Sequence, residues 1–217
     1  MIRTARRALG LCLWGLAAAG SLHAEKIRNH FDTDVMGRAP GFFDPVVLGA
    51  PGPARWLVLT DMNPPSAPNR LVQVEANRPL DSIAAVLRRG AVFRDGTVSV
   101  FVKRGSARGG LVLRLADEQD FLLLLVDCES GQAVLTRRHA GKSEKLGEGR
   151  GVFEKLWENV SVTAAGPSVS VSFDGRKLFD ATDPQPATGR AGLATAGPGE
   201  ASFDEFILEP EPEKANP

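Results

Sequence analysis

Carboxylates two residues apart on a strand share a face, and a pair held about 5 Å apart can act as nucleophile and acid on a glycosidic bond. Three acids at that spacing occur at Glu209, Glu211 and Glu213, but Pro210 and Pro212 separate them and cannot join a central ladder, so the run reads as a solvated tail. Asp117, Glu118 and Asp120 crowd into a turn, and glucanase-type chemistry is not expected. Nucleophilic catalysis has as little support. There is no Gly-x-Ser-x-Gly elbow, His30 and His139 are the only histidines beyond residue 24, and Cys128 ends an apolar run as a buried thiol would. No Cys/His spacing suits zinc, and no cofactor is expected. Asp32, Asp34 and Asp204 would supply oxygens for calcium if the first and last strands meet, and would otherwise be solvated acids.

The best ligand-binding candidates lie on strands. In GLVLRLA, Arg114 falls on the face of Val112, opposite Leu111, Leu113 and Leu115, so it is expected on an exposed, concave surface. Gln73 and Glu75 alternate with Val72 and Val74 and are expected to face the same way, with Trp56 beside them for stacking. Gln, Glu and Arg together can hydrogen-bond sugar hydroxyls; the alternative is a surface ion pair of small energetic weight. On the first reading, Arg114→Ala costs glycan retention and hardly moves the melting temperature.

Apolar or alternating runs recur from residue 55 onward with turn residues between them, and a 3.6-residue period is absent. In SVSVSF, Val169, Val171 and Phe173 face a core while Ser168, Ser170 and Ser172 face water; Asp174-Gly175 then turns the chain back as a hairpin. The valines of TVSVFVK face the core likewise. The run from Phe121 to Val126 is apolar on both faces, as a central strand would be. Residues 63–69, with three prolines, form a loop; residues 141–151, charged and Gly-rich, read as a surface loop. Roughly a dozen short strands at regular spacing make the expected fold class all-β, a sandwich or a barrel.

Three arginines before an apolar run from Ala8 to Gly20 and a small-residue end at Ala24 make residues 1–24 a secretory signal peptide, too short in its apolar part to span a bilayer. The alternative is a retained anchor. The sandwich then occupies 25–209 and a disordered tail 210–217, in the periplasm or outside the cell. Removing the leader takes three arginines and no acid from a chain with 26 basic and 26 acidic residues, leaving a net charge of about −3. That is no footprint for nucleic acid or for an anionic membrane. It also leaves Cys128 alone, so the core must supply the stability that secreted domains often draw from disulfides.

Five segments in order, RWLVLTDMNPPSAPNRLVQ, GGLVLRLADEQDFLLLLVD, Trp157, SFDGRKLFDATD with AGLAT, and SFDEFIL, resemble the bacterial concanavalin A-like jelly-roll domains grouped as 3-keto-disaccharide hydrolase or laminarinase-like domains. The resemblance covers most of residues 31–208. It implies a two-sheet antiparallel jelly-roll sandwich of the concanavalin A-like lectin and glucanase type and, for function, either a carbohydrate- or glycan-binding module or a hydrolase or lyase acting on 3-keto-glycosides. A structural or partner-binding exported protein is the third reading, since one sandwich carries many functions. The chain departs from the family in having no tyrosine, with Phe121 and Leu122 where paired tyrosines are usual.

Overall fold

The computed structural model describes residues 25–105 and 107–211, and every regular element among them is a strand. The expected signal peptide lies outside the described residues, as does the end of the tail from residue 212. In chain order the strands are β1 (Ile27–Asn29), β2 (Phe43–Gly49), β3 (Trp56–Thr60), β4 (Asn69–Gln73), β5 (Ser82–Phe93), β6 (Gly96–Lys103), β7 (Arg108–Asp117) and β8 (Asp120–Asp127). They continue with β9 (Gln132–His139), β10 (Lys142–Arg150), β11 (Trp157–Ala165), β12 (Ser168–Phe173), β13 (Arg176–Thr182), β14 (Gly189–Ala196) and β15 (Ala201–Pro210).

Two antiparallel sheets result. The front sheet runs β13-β12-β11-β6-β15-β4-β3, with β1 paired to β15; the back sheet runs β10-β9-β8-β7-β14-β5-β2. This is the two-layer jelly-roll sandwich that the resemblance implies, and of the sandwich and barrel left open by the alternation it is the sandwich. Where the pattern is strict, side chains fall as it dictates: Val98, Val100, Val102, Val160, Val162, Val169 and Val171 are all buried in the core between the sheets. The back sheet adds Leu111, Leu113, Leu122, Leu124, Val126 and Leu193 from its inner face. Its other face carries a second apolar cluster with Leu48, Leu87, Val112, Phe121 and Leu123, so β8 is apolar on both sides as its composition requires. Asp174 and Gly175 take the left-handed φ values of +47° and +75° that the two-residue hairpin between β12 and β13 demands.

One expectation is corrected here. Residues 141–151, read as a loop, are mostly strand β10, the outer edge of the back sheet, paired with β9 from Lys142 to Arg150. Edge strands are kept from further pairing by charge, which is why this one lacks an apolar pattern. Its glycines have a packing purpose. A Cβ on Gly147 or Gly149 would stand 2.8 Å from the ring of Phe179, so their bare backbone lets β10 close down on β13 and seal that side of the sandwich.

Candidate functional site

The four expected ligand-binding residues do not share an exposed face. Arg114 is fully buried. Strand β7 bulges between Leu113 and Asp117, and Arg114 takes φ +51° there, so the alternation that would have sent it outward breaks at that residue. A Cβ on Gly189 would lie within 2.6 Å of the backbone at Arg114 and Leu115, so only glycine leaves room for the bulge against β14. The guanidinium reaches one end of the sandwich: Nη1 donates to Asp183 at 2.7 Å, Nη2 to the Gly166 carbonyl at 2.8 Å and to Asp95 at 3.2 Å, and Nε to the Arg94 carbonyl at 2.9 Å. Asp183 is itself fully buried, and Arg137, also buried, stands 3.6 Å from it while pairing with Asp120. The arginine read as a sugar ligand ties the two sheets together.

Gln73 and Trp56 are corrected in the same way. They are cross-strand partners on β4 and β3, and both point inward because they share a face with the core residues Leu71 and Val58. Trp56 packs on Phe203 with ring centroids 5.7 Å apart, and no atom of the Gln73 amide meets a partner. Glu75 lies past the end of β4, partly exposed, paired with Arg55 at 3.2 Å.

Nor do Asp32, Asp34 and Asp204 converge. Asp32 accepts from the backbone N–H of Asn69 at 3.0 Å and meets His30, and Asp34 accepts from the N–H of Gly41 at 2.8 Å. Asp204, fully buried in a bulge of β15, accepts from the N–H of Ser66 at 2.7 Å and of Glu205 at 2.8 Å, and from the Ser66 hydroxyl. Among the described residues no three His, Cys, Asp or Glu side chains are placed to hold a metal ion. Desolvation pushes the Asp204 carboxyl up to about 7 against the pull of the Ser66 and Glu205 donors. Burial likewise pushes the Cys128 thiol up to about 12. Cys128 is therefore expected to resist a thiol-reactive disulfide reagent at pH 8 in the native protein and to react at once in denaturant; fast native labelling would contradict its burial.

The open polar surface lies along the sealed edge, where β10 meets β12 and β13. A groove of about 740 Å³ there is lined by hydroxyls from Thr163, Ser168, Ser170 and Thr182 and by the charged groups of Asp180 and Glu144. Register explains the grouping. Ser168 and Ser170 alternate outward against the buried Val169, and their partners across the ladder are Thr182 and Asp180 on one side and Ala165 and Thr163 on the other. Lys177 donates to Asp180 at 2.7 Å, and this ammonium first, then the Ser170 hydroxyl, holds the Asp180 carboxyl below its ordinary range, so it stays an acceptor into acid. Past Phe179, the same edge carries a second depression of about 260 Å³ around Glu158, Asp174, Arg150 and Arg176. Phe179, cross-strand partner of the buried Val171, lines neither of them and packs inward beneath Gly147 and Gly149. The outward serines of β12 were legible in its alternation, but no signal along the chain says which strand lies beside it, and so the groove was missed.

No protein-family model matches this chain, and no curated protein does. Solved structures share its fold at low identity. Carbohydrate-binding module CBM66 from Bacillus subtilis superposes with a TM-score of 0.55 at 17% identity, over 70% of this chain and 92% of that one. A Bacillus subtilis protein of unknown function with a galectin-like fold gives 0.51 at 12% identity, over 76% and 89%. Domain 4 of AbnA, a GH43 extracellular arabinanase from Geobacillus stearothermophilus, in complex with arabinotriose, gives 0.50 at 16% identity, over 83% and 89%. At these identities the likeness establishes the sandwich and nothing finer.

Proposed function

We propose that this chain is an exported carbohydrate-binding module that takes a saccharide into the groove between β10 and the β12–β13 hairpin. The observation that carries the reading is the lining of that groove, four hydroxyls beside an ionised carboxylate. Sugar hydroxyls both donate and accept, and a surface that does the same at close spacing can replace their hydration. The sandwich shared with CBM66 and with the domain described in complex with arabinotriose agrees with it. The leader-like sequence of residues 1–24 supports export.

A glycan array tests this. The parent protein is expected to retain a subset of neutral polysaccharides, and Asp180→Ala combined with Ser170→Ala to lose at least about tenfold of that retention. Hydrogen bonds to a charged acceptor are among the stronger ones, and losing one that a ligand uses lowers affinity by on the order of tenfold. Both side chains face outward, so the melting temperature should stay within a few degrees. Retention of no glycan by the parent, or equal retention by the double variant, would refute the assignment.

A further inference from the structure

The depression beyond Phe179 contains a feature that packing does not explain. Glu158 on β11 is 1% exposed, because the strand's alternation places it inward with Val160 and opposite Val102. One carboxylate oxygen is used: Oε1 accepts from the backbone N–H of Glu154 at 2.9 Å and of Lys155 at 2.8 Å, pinning the segment before β11. The other, Oε2, is buried with no hydrogen-bond partner among the described residues. A buried acceptor left open costs free energy, and its placement in the wall of a cavity identifies where a donor belongs. Around it the cavity offers Asp174 as a second acceptor, Arg150 and Arg176 as donors, and Phe173 with Leu178 as an apolar floor. Phe173 is held by an edge-on contact with Phe153 at 5.0 Å and by Gly151, where a Cβ would stand 2.6 Å from the ring.

Acceptors and cationic donors around an apolar floor suit a neutral polyhydroxylated ring better than a bare cation, which Arg150, Arg176 and Lys177 would oppose, or an anion, which Glu154, Glu158 and Asp174 would oppose. We infer that this cavity is a second saccharide subsite, in which Glu158 accepts from hydroxyls of a sugar unit at one end of a bound oligosaccharide, the remaining units passing over the outside of the closed β10–β13 edge into the larger groove. The inference rests on the carbohydrate-binding reading above and adds to it a requirement for ligand length.

The test is calorimetric titration of the parent protein and Glu158→Gln with mono-, tri- and hexasaccharides of arabinose, xylose and glucose. The glutamine keeps an oxygen for the Glu154 and Lys155 N–H groups but presents an amide donor where Oε2 was. The parent is expected to gain at least about tenfold in affinity between the shortest and longest member of the series it binds, and the variant to show less than about twofold gain. Arg176→Ala, at an exposed position on the rim, is expected to reduce the same gain and provides the result if Glu158→Gln does not fold. A parent that binds a sugar without length dependence, or variants that keep the parent's full gain, would overturn the second subsite alone. A parent that binds none of the series and retains nothing on the array would overturn the carbohydrate reading and the subsite with it.

Discussion

Arg114→Ala is expected to melt roughly 10 °C or more below the parent protein. The reason is the company the guanidinium keeps. It is fully buried, bonded to the equally buried Asp183 and to two carbonyls, and Asp183 faces Arg137 on its other side. Removing one member of a buried ion pair leaves its partner charged and desolvated, at a cost of about 3–5 kcal/mol. In a domain of this size each kcal/mol moves the midpoint by about 2–4 °C. The effect should be equally plain in urea, as a lower midpoint with little change in slope. Asp183→Ala should cost at least as much, because it removes the one fully buried carboxylate that faces both Arg114 and Arg137. A double-mutant cycle should then return a coupling of about 2 kcal/mol or more between positions 114 and 183. If Arg114→Ala melts within a few degrees of the parent, the network contributes little and the sandwich is tied elsewhere.

The second large effect concerns pH. Asp204 has a native value of about 7 against about 3.9 in an unfolded chain, so between those values the native state holds a proton that the unfolded state has released. Its contribution to stability is complete below pH 4, declines as the pH rises, and is gone above 7. At about 1.4 kcal/mol per unit the full span amounts to at most ~4 kcal/mol. Asp44, Asp61, Asp127 and Asp180 are shifted the opposite way, downward, so their contributions change only below about pH 4 and leave the interval from 5 to 8 clear. The neighbouring Glu205 is held by Arg28 at 2.7 and 2.9 Å. Urea midpoints are therefore expected to fall from pH 5 to pH 8 in the parent, and the slope to flatten in Asp204→Asn. A parent midpoint that rises over this interval, or a slope that survives the substitution, would show that Asp204 is not the titrating group.

The fold was readable wherever one face is wet and the other dry. TVSVFVK and SVSVSF became β6 and β12 with their valines inward, and Asp174-Gly175 became the hairpin. The reading failed where alternation is broken or is not the governing pattern. At Arg114 and again at Glu205 a residue with positive φ sits in a bulge and resets which side chain points inward, and spacing along the chain carries no trace of that. Strand β10 was hidden because its constraints are the charge of an edge and the glycine clearance for Phe179, neither of them an apolar pattern. For Gln73 the phase was misjudged: Leu71 anchors its strand in the core, and Gln73 follows it inward. Glu158 escaped notice for a related reason. A glutamate ahead of an alternating run looks like an exposed strand end, and only the fold shows the loop N–H groups that draw it inside.

Carbohydrate binding at the β10–β13 edge stands or falls on where a saccharide sits. Amide chemical-shift mapping of the protein, titrated with the glycan it retains best on the array, addresses this directly. Perturbations are expected at Thr163, Ser170, Asp180 and Thr182, with little change at Trp56, Gln73 and Arg114. Shifts confined to those last three, with the β10–β13 edge silent, would contradict it.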